Sequence, residues 1–116
     1  MTTAVITARE SDSVAWLRGE MRRARVQHAP VVDDRQHVVG IVCERDLTTR
    51  LPSAARVGGV MARDVITARP NDSAEYAAWV LLESGFRSLP VLGDSEQLIG
   101  MVTERDLRDV GAHRTA

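Results

Sequence analysis

The sequence contains no lysine: all fifteen basic residues are arginine. Arginine presents a planar fork of donors suited to carboxylate and phosphate, so the choice keeps such partners in view without requiring them. Cysteine is almost absent. The single residue, Cys43, rules out an intrachain disulfide and any CxxC or zinc-ligand pattern. No stretch approaches the ~20 apolar residues of a membrane helix, and the opening "MTTAVITARE" carries no apolar run of signal-peptide length. A cytoplasmic location without membrane attachment is expected. A formal net charge of −1 gives no general attraction to nucleic acid. There is no Ser-His-Asp set, metal-ligand spacing or Gly-rich phosphate loop, so an enzyme is not expected.

What is present suits a folded domain. The chain has 116 residues, 44% of them apolar and 27% charged. That is enough for one compact core and a hydrated surface.

The organising feature is a repeat at a spacing of sixty. "VITAR" at 5–9 returns at 65–69, and Asp12-Ser13 returns as Asp72-Ser73. Pro30-Val31 returns as Pro90-Val91, and Asp34 as Asp94. "GIVCERDL" at 40–47 returns as "GMVTERDL" at 100–107. Sixteen of the 43 positions from 5 to 47 are identical without a gap.

Each copy reads in the same order. A β-branched run opens it (Val5–Thr7, Val65–Thr67). A helix starts at Asp12 or Asp72, and Asp72 with Glu75 has capping-box spacing. Val14, Leu17, Met21 and Ala24 form one apolar face; Ala74, Ala77, Ala78 and Leu81 form the other. A hairpin follows, its strands joined by "DDRQH" or "GDSEQ". Asp33, Asp34 and His37 are read as turn residues rather than metal ligands. A second helix opens at Glu44 or Glu104. The fold class is therefore α/β (α+β), two tandem β-α-β-β-α units packed with pseudo-twofold symmetry. Repeat 1 spans 1–50 and repeat 2 spans 64–116. Residues 51–63, punctuated by Pro52 and Gly58-Gly59, connect them through a short helical turn.

Only four aromatic residues exist. Trp16, Tyr76 and Trp79 lie opposite the apolar helix faces, where they are costly unless covered. They are read as an interface, with a homodimer as the expected partner. Arg18, Arg22 and Arg25 also share a helical face. It is read as solvated, with a ligand phosphate or an acidic partner as the alternative. Cys43 is read as a small residue at a strand end.

Nearly the whole chain resembles the CBS-domain family, named for cystathionine β-synthase, most strongly from Val57 to Leu107. Its pattern runs V-x-x-V-M, V-x-T-x-x-P, a helix, L-P-V, then G-h-h-T-x-x-D. Two such repeats form a Bateman module, and the chain resembles a stand-alone one. The resemblance implies two clefts for adenosine-containing ligands: AMP, ADP, ATP, NAD(H) or S-adenosylmethionine. It implies that Thr103 and Asp106 share one cleft, the favoured one, with Thr7, Gln27 and His28. Cys43 and Asp46 would share the second with Thr67, Arg87 and Ser88. An ionised Asp suits ribose hydroxyls, and Arg87 or a protonated His28 suits phosphate. Cys43 stands where the family pattern has Ser or Thr, and Gln27 where the other copy has Arg87. The clefts are thus not equivalent.

The function expected is regulatory. The module would bind an adenine nucleotide as effector, require no cofactor, and signal energy or metabolite state to an unidentified protein partner. The alternative is a structural dimerisation module with vestigial, empty clefts.

Overall fold

The computed structural model describes residues 5–84, 88–103 and 106. They form two compact units, Ile6–Val65 and the residues from Ile66 onward together with Val5. Each unit holds one helix against one two-stranded antiparallel sheet.

In the first unit, helix α1 spans Val14–Ala24. Strands β1 (His28–Val32) and β2 (Val38–Cys43) form the hairpin. In the second unit, helix α2 spans Ala74–Ser84, followed by β3 (Ser88–Leu92) and β4 (Leu98–Thr103). The two hairpins share one register offset by sixty residues. His28 opposes Cys43, as Ser88 opposes Thr103. A register irregularity falls between Val31 and Val32 and again between Val91 and Leu92.

The β-branched opening runs form no strand of their own. Each makes one parallel bridge, Ala8 to Val31 and Ala68 to Val91. Ala8 N–H donates to the Pro30 carbonyl at 3.0 Å, and Val32 N–H donates to the Ala8 carbonyl at 2.9 Å. Extending that ladder towards Ile6 would need an N–H on Pro30, which proline lacks. Pro90 imposes the same stop in the second unit. The proline thus stops the ladder on one side, and the turn from Arg9 to Asp12, or Arg69 to Asp72, ends it on the other.

Serine, not aspartate, caps the helices. Ser13 Oγ accepts from Trp16 N–H at 2.9 Å, and Ser73 Oγ accepts from Tyr76 N–H at 3.0 Å. The aspartates act one step earlier. Asp12 and Asp72 accept the N–H of Arg9 and Arg69 at 2.8 Å, closing the turn that feeds each helix. The side chain of Arg9 then pairs with Asp34, and that of Arg69 with Glu96 and the Gly93 carbonyl. "VITAR" thus ties the opening segment to the tip of its own hairpin in both copies.

The core of the first unit is built on Leu17, Met21, Ala29, Val31, Val42 and Leu47. Each large side chain so buried contributes about 1.5–3 kcal/mol. Ala24 is exposed and does not join this face. In the second unit Val80 joins Ala77 and Leu81 in the core, while Ala74 and Ala78 are half-buried. Val57 and Met61 from the connecting segment are buried in the first unit's core. Val57 N–H donates to Asp12 O, and Ile41 and Ala62 exchange both backbone bonds. A Cβ on Gly40 would lie 2.5 Å from Met61 Sδ, so this close crossing needs glycine. The helical turn at Val57–Gly59 accordingly packs within the first unit rather than leading into the second.

The second helix of repeat 1 is a single 3-10 turn, Glu44–Asp46. Cys43 precedes it without a side-chain cap bond. Leu47 closes the turn, its N–H donating to the Glu44 carbonyl at 3.0 Å, and its side chain is buried in the core. The matching segment after Thr103 lies outside the described residues, except for Asp106.

The hairpin tips reach one geometry by two routes. Asp33 Oδ1 accepts from Arg35 and His37 N–H, each at 2.9 Å. In the second unit Gly93 stands at that position and Gln97 Oε1 accepts from Ser95 N–H at 2.9 Å. A Cβ on Gly93 would lie 2.7 Å from Gln97 Nε2, so the amide occupies the vacated space. The His37 N–H bond is the main cause holding the Asp33 carboxyl below its ordinary value of 3.8; slight burial opposes it, and Arg35 N–H adds to it. A depressed carboxylate stabilises the fold above its unfolded value and loses that contribution as pH falls through the folded one. Wild type should be more stable than Asp33→Ala above about pH 4, the gap closing in stronger acid. Urea unfolding of both proteins across pH checks this.

Candidate functional site

Each hairpin ends where the sequence places its candidate ligand residues. The register fixes them. At the open end of the second hairpin stand Ser88 and Thr103, opposite one another, with Asp106 one turn on. Thr103 N–H donates to Asp106 Oδ2 at 3.0 Å, and Asp106 N–H donates to Thr103 Oγ1 at 3.3 Å. The Thr103 hydroxyl lies 3.3 Å from the same carboxylate oxygen. This is a reciprocal capping box. It holds the carboxylate of half-buried Asp106 in place at the strand end.

Ser88 differs from its neighbours. It is 3% exposed, and among the described residues its hydroxyl has no hydrogen-bond partner. A buried hydroxyl without a partner costs about 1–3 kcal/mol. Such a group at a strand end is suited to meet an external donor or acceptor.

The first hairpin carries His28 opposite Cys43, both half-buried. Glu44 N–H donates to the Gln27 carbonyl at 2.8 Å, which continues the strand pairing by one step. Cys43 forms no cap bond, and Asp46 is exposed. The thiol is a weak partner, so the box formed by Thr103 and Asp106 has no counterpart here. Thr7 and Thr67 are half-buried beside their bridges. Arg87 lies outside the described residues.

Within single units the structure therefore brings together Ser88, Thr103 and Asp106, and separately Gln27, His28 and Cys43. The two clefts implied by the resemblance each join residues of both units.

Two concavities lie near these groups. In the second unit a space of about 210 Å³ has Arg69, Asp72, Ser73 and Asp106 as its polar lining. In the first unit a space of about 270 Å³ holds Gln27 with Arg22, Arg25 and Glu44. The helical spacing of Arg22 and Arg25 was the only sign of the latter in the sequence. Arg18, on the same face, instead donates to the Leu47 carbonyl at 3.3 Å. Among the described residues no group of three or more His, Cys, Asp or Glu is placed to hold a metal. No helix among them is long and apolar enough to cross a membrane. Trp16, Tyr76 and Trp79 are 48%, 49% and 59% exposed. The Tyr76 and Trp79 rings pack together with centroids 6.5 Å apart.

The contrast between the two strand ends is testable. Cys43→Thr should create with Asp46 the box seen at Thr103, raising stability by about 0.5–1 kcal/mol. Urea unfolding should show the gain, and adding Asp46→Ala should remove it.

Comparison with known proteins follows the same division. The CBS-domain family matches residues 1–53 and 57–113. Among solved structures, CBSX2 of Arabidopsis thaliana, determined with AMP, is 26% identical with a TM-score of 0.87, covering 100% of this chain and 95% of that one. The cytosolic domain of the Mg2+ channel MgtE, determined with ATP, is 29% identical with a TM-score of 0.84, covering 95% of this chain and 46% of that one. Inosine-5'-monophosphate dehydrogenase of Methanocaldococcus jannaschii is 31% identical over 103 residues, 89% of this chain. The chain spans only 21% of that enzyme's length. Several of the solved structures it resembles are CBS domains or CBS-domain pairs. With two matching repeats, one register and one capping scheme, the chain belongs to the CBS-domain family as a CBS-domain pair, a Bateman module.

Proposed function

We propose that this CBS-domain pair is a regulatory module that binds an adenosine-containing ligand in clefts between its repeats and passes the bound state to a protein partner. The observation that carries the reading is the AMP complex of CBSX2, which matches this chain from end to end. Three features of the chain support it. Asp106 is held by Thr103 as an acceptor suited to ribose hydroxyls. The Ser88 hydroxyl is buried without a partner among the described residues. Asp46 is exposed, after a Cys43 that makes no side-chain cap bond. In this reading Thr103 and Asp106 share the favoured cleft with Thr7, Gln27 and His28. Cys43, Asp46, Thr67, Arg87 and Ser88 form the second. AMP, ADP, ATP, NAD(H) and S-adenosylmethionine are the candidates, and the cytoplasm is where such a sensor would work. No catalytic step is assigned to the module.

A second reading has one observation in its favour. Cys43 provides no cap, and the helix after it shrinks to one turn. That cleft would then be vestigial, and the module would serve dimerisation.

Thermal unfolding against each candidate ligand separates the two. A ligand at 100 times its dissociation constant adds about 2.7 kcal/mol, which raises the midpoint by several degrees in a domain of this size. Asp106→Ala should abolish the shift if the favoured cleft is the occupied one. If Asp46→Ala abolishes it instead, the second cleft is the site. If no ligand shifts the midpoint, the sensor reading is wrong for this set.

The module is further proposed to act as a homodimer through the faces bearing Trp16, Tyr76 and Trp79. Sedimentation equilibrium should give twice the 12.7 kDa chain mass. Trp79→Glu should shift the protein towards monomer, and an unchanged mass would place the interface elsewhere.

A further inference from the structure

The concavity at the end of α1 is more basic than the fold requires. It is lined by Met21, Arg22, Arg25, Val26, Gln27 and Glu44. Arg25 follows the helix in the left-handed conformation, φ 57° and ψ 41°. That conformation is unfavourable for a residue with a Cβ, and glycine is the usual occupant. Sixty residues on, the sequence indeed has Gly85. Repeat 1 keeps an arginine at a position where the other copy has glycine.

The neighbouring positions change with it. Arg22 corresponds to Leu82 and Gln27 to Arg87. Repeat 2 therefore has one arginine just before its L-P-V strand. Repeat 1 has glutamine there and two arginines around it. The positive charge has been moved rather than lost.

Structural duties do not account for both side chains. Arg18 and Arg23 are engaged, with the Leu47 carbonyl and Glu20 respectively. Arg22 approaches Glu44 only to 3.7 Å, beyond hydrogen-bond length, with both side chains well exposed. Among the described residues Arg25 makes no ion pair. The C-terminal end of a helix ordinarily disfavours an anion. Here Arg25 N–H donates to the Arg22 carbonyl at 3.2 Å and Val26 N–H to the Met21 carbonyl at 3.0 Å. These bonds occupy carbonyls that would otherwise repel an anion, and two guanidiniums outweigh the residual dipole.

We propose that this concavity is a site for the phosphate chain of a nucleoside di- or triphosphate. Arg22 and Arg25 bond the non-bridging oxygens, the Gln27 amide donates a further bond, and Glu44 is released from Arg22. The adenosine part rests on the function proposed above; the phosphate part stands on these residues alone. The consequence is a preference for ATP and ADP over AMP.

Calorimetric titration of the full chain with ATP, AMP and inorganic tripolyphosphate tests it, using wild type, Arg25→Gly and Glu44→Gln. ATP should bind more tightly than AMP, and tripolyphosphate should bind by itself. Arg25→Gly should weaken ATP and tripolyphosphate about tenfold or more. Because glycine suits the left-handed position, the unliganded variant should melt no lower than wild type, which separates lost binding from lost folding. Glu44→Gln should tighten both ligands. Equal binding of ATP and AMP, with ATP unaffected by Arg25→Gly, would overturn the phosphate site and leave the nucleotide reading intact. Tripolyphosphate binding that needs Arg25, with no nucleotide bound, would uphold the site and defeat the nucleotide reading. No binding by any of the three defeats both.

Discussion

Hairpin register is the constraint on which the rest of each unit depends. Because His28 faces Cys43 and Ser88 faces Thr103, the residue before Ala29-Pro30 or Leu89-Pro90 meets the residue before each E-R-D sequence. A slip of one residue would turn every core side chain of the strand to the other face. The register is held at the far end by the turns, through Asp33 in one unit and Gln97 in the other. It is held along its edge by the single bridge from Ala8 or Ala68. The prolines on one side and the turns at Arg9 and Arg69 on the other confine that bridge to one residue, so the opening segment is anchored firmly but briefly. Arg9 and Arg69 add a side-chain tie to the same hairpin tip.

On this shared scaffold the two copies have diverged where ligands would be met. Thr103 and Asp106 cap one another; Cys43 and Asp46 do not. The Ser88 hydroxyl is buried and, among the described residues, unpartnered, whereas His28 at the equivalent position is half-buried. Arginine surrounds Gln27 in one copy and precedes Ser88 directly in the other. Such changes are of side chains, and the pairs His28–Cys43 and Ser88–Thr103 keep the same register in both hairpins. A duplicated module can therefore acquire two unlike half-sites without altering its fold.

Much of this was legible in the residues. The sixty-residue repeat announced two equivalent units, the 3.6-residue apolar spacing placed both helices, and apolar runs joined by a polar turn placed both hairpins. The failures have local physical causes. The opening runs have strand propensity, but Pro30 and Pro90 withhold the N–H that a longer ladder needs. Asp12 and Asp72 look like helix caps, but Ser13 and Ser73 are one residue nearer the first turn. Val80 was passed over because an alanine-rich helix offers several plausible faces. The basic concavity was invisible as such, since Arg22 and Arg25 also fit a solvated stripe.

The sequence by itself determined the duplication, the family and the order of elements, because these depend on local pattern and on identities that recur at fixed spacing. Tertiary structure decided what pattern cannot encode. It assigned Val57 and Met61 to the first unit's core, because Gly40 leaves room for Met61 to cross β2. It buried the Ser88 hydroxyl without a partner among the described residues, because burial depends on what packs above a strand end rather than on the residue itself. It also set Arg25 beside Gln27, because a left-handed residue after the helix reverses the chain and brings the two into one concavity.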